Sequence, residues 1–131
     1  MRVDLKITKD EIGEASLAAA REISPNVGAV VTFQGVVRAA EGEQKISGID
    51  YEAFEAMVRR QFEHIFSEAS ARWPIEAVRL AHRIGYVPVN KPSLWIEVTA
   101  SHRCEAFEAC QYIIDQMKVR VPIWKHPRAL P

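Results

Sequence analysis

The stretch Gly28-Ala29-Val30-Val31-Thr32-Phe33-Gln34-Gly35-Val36-Val37-Arg38 constrains the fold more than any other. Ala29, Val31, Phe33, Gly35 and Val37 fall on one side of an extended chain, and Val30, Thr32, Gln34, Val36 and Arg38 on the other. Two-residue periodicity in β-branched and aromatic residues predicts a strand, and a strand must find partners and a cover for its apolar face. Gly35 inside the run predicts a bulge or the close approach of another backbone or ligand. Arg38 ends the run just before a polar loop, where a solvated strand end is its plainest role.

Other segments alternate in the same way. Val3, Leu5 and Ile7 mark a short strand at 2–8, and Ile49, Tyr51 and Ala53 mark one at 46–54. Val78, Leu80, His82 and Ile84 mark 77–87, and Leu94, Ile96, Val98 and Ala100 mark 94–100. The polar loop 39–45 between two of these runs predicts a hairpin. Helical spacing appears three times. Thr8-Lys9-Asp10-Glu11 reads as a capping box opening a helix that runs to about Ile23, before Ser24-Pro25-Asn26. Val58, Phe62, Ile65, Phe66, Ala69 and Trp73 form the stripe of a helix at 55–73, which Pro74 stops. Phe107, Cys110, Ile114, Met117 and Val121 form the stripe of a helix at about 105–119. The order is strand, helix, strand, strand, helix, strand, strand, helix. It predicts an α+β fold, with a mostly antiparallel sheet and helices packed on it, in one domain over residues 1–131.

Charge excludes some functions. Lys+Arg and Asp+Glu both number 17, and a balanced chain does not look like a dedicated nucleic-acid binder. Cys104 and Cys110 point in different directions on a helix and are expected to be small buried or half-buried residues. No Cys/His cluster has zinc spacing, so no metal is expected, and P-loop, GxGxxG, HExxH and GxSxG motifs are absent. The start, Met1-Arg2-Val3-Asp4-Leu5-Lys6, does not read as a signal peptide, and no apolar run is long enough to span a membrane. The expected compartment is the cytoplasm.

Chemistry-bearing residues gather at element ends: Arg38, His102-Arg103, and Lys118 with Lys125, with His126 beside the last. Lys118 ends a helix and Lys125 follows the break at Pro122, so the two could turn into one site. Arg forks bind phosphate bidentately, and lysine serves as acid, base or nucleophile. The set favours an anionic substrate and an acyl or sulfur transfer step without a metal. Each member has a plainer reading: a lysine complementing a helix dipole, or an Asp115–Lys118 surface pair. His82 among aliphatics reads as a satisfied core histidine.

Taken together, five segments resemble the large, catalytic subunit of molybdopterin synthase. They are residues 28–38; Tyr51-Glu52-Ala53-Phe54 with Met57; His82-Arg83-Ile84-Gly85; Ser101-His102-Arg103 followed by Ala106-Phe107-Glu108-Ala109; and 118–125 with Pro122 and Trp124. The resemblance implies an α/β-hammerhead fold with an extra antiparallel sheet, and a homodimer within a heterotetramer. Each protomer would bind one small ubiquitin-like sulfur-carrier subunit, whose C-terminal Gly-Gly thiocarboxylate enters a pocket. Its sulfur would pass to cyclic pyranopterin monophosphate, twice, to build the molybdopterin dithiolene, with no cofactor or metal in this subunit. The resemblance assigns catalysis to Lys118 and Lys125 and substrate contact to Val36, Val37, Arg38, His102, Arg103 and His126. Within that scheme Lys118 is expected to move protons or stabilise the tetrahedral species, and Lys125 to hold the carrier carboxylate.

The sequence departs from the family at His126-Pro127, where another basic residue and a Glu usually stand. The family also commonly carries a further C-terminal tail, and the sequence here ends at Pro131. These departures keep a second reading open, a catalytically impaired dimeric module that only docks the carrier. A small RNA- or nucleotide-binding domain is a third reading, disfavoured by the balanced charge.

Overall fold

The computed structural model describes residues 1–131. In chain order the elements are β1 (Arg2–Thr8), α1 (Glu14–Ala19), β2 (Ala29–Val36), β3 (Ala40–Glu41), β4 (Gln44–Ala53), α2 (Glu55–Arg72), β5 (Ile75–Arg83), β6 (Gly85–Pro88), β7 (Pro92–Ala100), α3 (Arg103–Arg120) and β8 (Ile123–Ala129). The α+β expectation holds, and every strand pair is antiparallel except β1 with β5.

The strands divide between two sheets. The first has the order β1-β5-β7-β2, and the second places β4 between β6 and β8, with β3 at its start. The hairpin expected between residues 28–38 and 46–54 does not form. β2 pairs with β7, and the chain then leaves that sheet for the second one. The run expected as one strand at 77–87 is likewise two. β5 belongs to the first sheet and β6 to the second, and Gly85 makes the break with a φ of +81°, which costs glycine little. The bulge predicted at Gly35 is present, as a register shift between Gly35 and Val36.

Helices α2 and α3 pack on one face of the first sheet. Val58, Phe62, Ile65, Phe66 and Ala69 of α2 are buried there against Val78, Leu80, Ile96 and Val98, as the stripe predicted. Each such side chain contributes ~1.5–3 kcal/mol by leaving water. On α3 the buried face is Ala106, Ala109, Cys110 and Ile113, whose small members let the helix sit close to the sheet. The stripe expected through Phe107 is therefore corrected: Phe107 is exposed, and so is Cys104. The two helices are clamped at the surface by Glu68. It accepts from Tyr112 Oη at 2.6 Å and from Arg120 Nη1 and Nη2 at 2.7 and 2.8 Å. Those hydrogen bonds hold its carboxyl down to about 2.

The opposite face of the first sheet is covered as well, which is why β7 is buried nearly throughout. The cover is the segment around α1, with Ile12 and Leu17 on Trp95 and Ala81. Here Glu97, 2% exposed, accepts from Arg79 Nη1 at 3.1 Å and from Arg21 Nε at 2.6 Å, while Arg79 Nη2 donates to the Leu17 carbonyl at 2.9 Å. The first helix is shorter than expected. Thr8 Oγ1 accepts from the Asp10 amide at 3.0 Å in a local turn, Glu11 pairs with Lys91, and the helix opens only at Glu14.

Candidate active site

The direct crossings between the two sheets, after β2, after β5 and before β7, occur at one end of the first sheet. Antiparallel pairing brings the end of β2 and the end of β5 beside the start of β7: Gly35 and His82 both face Leu94 in register. The second sheet and the last turn of α3 close over this end. Between them lies a cleft of about 670 Å³. Its wall includes Gln34, Val36, Val37, Arg38 and Glu41 from the β2–β3 side, and Ile49 and Tyr51 from β4. His82 and Ser93 line its floor, and Met117, Lys118, Val121, Ile123 and Lys125 line the side of α3 and β8.

The structure thus brings together Val36, Val37, Arg38, Lys118 and Lys125 from residues far apart in sequence. Lys125 faces Tyr51 directly across the β4–β8 pair, so the two side chains project from the same face. Three other expected residues do not join the cleft in this chain. His102 and Arg103 sit at the first turn of α3, which is 18 residues long and so spans about 27 Å to its Lys118 end. The His102 side chain is exposed, 3.6 Å from Glu105. His126 turns away from the cleft, with its Nε2 3.0 Å from Glu52 Oε2.

Ion pairing sorts the basic C-terminal stretch. No acid follows Asp115 in sequence, but the fold supplies acids from elsewhere. Arg120 is taken by Glu68, His126 by Glu52 and Arg128 by Asp50. Lys118 and Lys125 have no carboxylate partner, nor does Arg38, and the plainer alternative of an Asp115–Lys118 pair is not made. The cleft therefore holds three unpaired cations against the single carboxylate of Glu41. Such a wall attracts anions, and its guanidinium and amines can donate to oxygens or sulfur.

Spacing alone did not assign Glu41, Tyr51, His82 or Ser93 to a site. Tyr51 and His82 were legible as strand residues, but their meeting depends on the two sheets. Their rings make an edge contact, with centroids 5.5 Å apart and planes at 73°. Burial raises the Tyr51 hydroxyl above its usual range, with the Glu41 charge adding to it and Ser93 opposing it. His82 is the buried histidine expected from its aliphatic neighbours, and its Nδ1 lies 2.8 Å from the Arg83 carbonyl. A carbonyl only accepts, so Nδ1 carries the proton. Burial pushes the imidazole down to about 4, opposed by the Arg83 carbonyl and reinforced by the Lys125 charge.

That shift has a sign that can be measured. Between about pH 6.5 and 4 the unfolded chain takes up a proton at this residue and the folded chain does not. The His82 contribution is therefore present above pH 6.5 and is lost as the pH falls to about 4, a change of roughly 3 kcal/mol at 1.36 kcal/mol per unit. Urea unfolding of wild type and His82→Phe across this window is expected to show the steeper acid loss in wild type. Parallel curves would contradict the assignment.

A model of the family described as MoaE protein matches residues 7–120. The chain belongs to this family. Among curated relatives, the molybdopterin synthase catalytic subunit of Thermoplasma volcanium is 40% identical over 92% of this chain and 88% of its own length. That of Pyrococcus abyssi is 39% identical over 91% of this chain and 80% of its own length. The rice and human proteins of the same name are longer, and this chain spans 51% and 61% of them. Among solved structures, molybdopterin synthase from Staphylococcus aureus superposes with a TM-score of 0.87 at 30% identity, over 95% of this chain and 90% of that one. A complex of subunits 1 and 2 of molybdopterin-converting factor from Helicobacter pylori matches with a TM-score of 0.76 at 27% identity, over 94% of this chain and 83% of that one. No helix here is long and apolar enough to cross a membrane.

Proposed function

We propose that this MoaE-family chain is the catalytic subunit of a molybdopterin synthase. It would take sulfur from the C-terminal Gly-Gly thiocarboxylate of a small ubiquitin-like carrier and add it to cyclic pyranopterin monophosphate, forming the dithiolene. The observation that carries the reading is the selective pairing of the C-terminal bases. Arg120 and Arg128 are neutralised and His126 is engaged by Glu52, while Lys118 and Lys125 stay unpaired on the cleft beside Arg38. The names of the relatives and the two-subunit Helicobacter pylori complex support the same activity and a carrier partner.

The chemistry follows from the charges. Cyclic phosphate and thiocarboxylate are both anions, and Arg38, Lys118 and Lys125 offset their mutual repulsion. The carrier sulfur attacks an electrophilic carbon of the substrate, and the new C–S bond forms as a C–O bond at that carbon breaks, its oxygen leaving with the phosphate or, once protonated, as water. Water then adds to the carrier acyl carbon, and the oxyanion collapses with cleavage of the acyl C–S bond. Sulfur stays on the substrate and the carrier leaves as a carboxylate. Lys118 is assigned to stabilise that oxyanion and deliver the proton, and Lys125 to hold the carrier carboxyl group. Val36 and Val37 present backbone and apolar surface to the substrate. Because His102 and Arg103 lie a helix length from this cleft, their substrate contacts would be made in the cleft of a second copy, consistent with a homodimer within a heterotetramer. His126 would join the site only by leaving Glu52. Residues 1–131 act as one domain in this reading, in the cytoplasm, without a metal or cofactor of their own.

Reconstitution with thiocarboxylated carrier and cyclic pyranopterin monophosphate tests the proposal, with dithiolene product as the readout. Product formation supports it. Carrier binding without product would instead favour a docking module, the reading that the diversion of His126 to Glu52 would fit. In the same assay Lys125→Ala is expected to raise the carrier KM about tenfold, the cost of one charge-assisted hydrogen bond, with a smaller fall in kcat. A change confined to kcat would reverse the roles given to the two lysines.

A further inference from the structure

We propose that His82 is a specificity-determining residue, whose Nε2 accepts a hydrogen bond from an N–H of the heterocyclic substrate at the floor of the cleft. The inference rests on the synthase reading above and extends it to a residue outside the lysine and arginine set.

Four observations place the group. His82 occupies the next-to-last position of β5, just before the chain crosses to the second sheet, and it lines the cleft. Its ring is fixed on several sides: in register between Ile7 of β1 and Leu94 of β7, and against the Tyr51 ring at 5.5 Å. Its Nδ1–H is committed to the Arg83 carbonyl at 2.8 Å, which leaves the lone pair on Nε2. That lone pair meets no protein donor, although the residue is only 5% exposed.

The chemistry of the remaining wall gives the lone pair its value. Arg38, Lys118 and Lys125 are donors only, suited to phosphate and thiocarboxylate oxygens, and the side-chain acceptors Gln34 and Glu41 come from the β2–β3 side rather than from the floor. Ser93 Oγ donates to the Gly35 carbonyl at 3.4 Å. A reduced pterin carries ring N–H and amino donors as well as its anionic phosphate, so a complementary site needs acceptors too. A neutral imidazole supplies one without adding to the positive field, and burial together with the Lys125 charge keeps it neutral at physiological pH. The anion would then be held at the cation-lined mouth and the heterocycle at the histidine floor.

The test measures binding of cyclic pyranopterin monophosphate by calorimetry to the complex with the carboxylate form of the carrier, for wild type, His82→Phe and His82→Gln. Phenylalanine keeps the aromatic contact with Tyr51 but has no acceptor, and an unpaired substrate donor is expected to weaken binding about tenfold. Glutamine restores an acceptor and should recover most of the loss, while inorganic phosphate competes equally well in all three. Equal substrate affinity in wild type and His82→Phe would overturn the proposal. Failure of wild type itself to bind would instead count against the synthase reading. A nitrogen-15 spectrum of histidine-labelled wild type makes the result independent of how the variants fold. Substrate is expected to shift the His82 Nε2 resonance and leave Nδ1 in place, and an unmoved Nε2 would overturn the proposal.

Discussion

Replacing Lys118 with alanine is expected to lower dithiolene formation at least a hundredfold, with carrier affinity changed by no more than about threefold. The expectation comes from where the amine sits. Lys118 is in the last turn of α3, beside Met117 and one turn from Val121, and all three line the cleft. It has no carboxylate partner, so the fold sets no competitor against substrate for its donors. A donor aimed at charge that appears only in the transition state contributes to turnover rather than to binding. Lys118→Arg keeps the charge but replaces a compact donor with a planar fork, and is expected to recover only part of the loss. The check is kcat and KM for both substrates in the reconstituted system. An alanine variant with normal kcat and a raised KM would remove Lys118 from the chemical step and leave it a binding residue.

The largest effect on stability is expected at Glu97. Its carboxylate is buried between Arg79, whose side chain is 8% exposed, and Arg21, whose side chain is 26% exposed. With Glu97→Ala, Arg21 can turn to water, but Arg79 stays beneath α1 with only the Leu17 carbonyl and the face of Trp95. An uncompensated buried guanidinium of this kind costs about 3–5 kcal/mol. In a domain of this size that lowers Tm by roughly 10–20 °C. Glu97 lies outside the cleft wall, so the folded fraction should keep its turnover. Glu97→Gln keeps the shape and one acceptor and should cost less. Urea unfolding gives the value directly, and a loss below about 1 kcal/mol for the alanine variant would show that Arg79 finds water after all.

Local pattern was enough where local forces decide. The α2 stripe from Val58 to Ala69 is buried as its spacing required, and its end agrees with Pro74 to within a residue. β1, β2 and β7 form strands where the alternation placed them, but burial does not follow it throughout: β7 is buried on both faces, and Phe33 on the expected inner face of β2 is exposed. Failures came where a distant partner outbid the local one. Residues 28–38 and 46–54 look like a hairpin, but β2 pairs with β7 at the edge of the first sheet, and β4 finds β6 and β8. Thr8 looked like a helix cap until its hydroxyl took the Asp10 amide. Phe107 matched the α3 stripe by spacing, but the close approach of Ala106 and Ala109 to the sheet turned the helix and left it outside.

The site divides along the same line. The sequence by itself determined the residue types and the elements that carry them. Lys118 ends a helix, Arg38 ends a strand, and their order with His102-Arg103 and Lys125 matches one family. Tertiary structure alone decided which charges remain available. Glu68, Glu52 and Asp50 come from segments 52 to 78 residues away to engage Arg120, His126 and Arg128. It also decided that Tyr51 and His82, on different sheets, meet in the cleft, and that His102 and Arg103 lie a helix length away. The reason is physical. Covalent sequence sets which conformations each segment prefers, but an ion pair or a cleft wall exists only once non-local pairing has placed its parts.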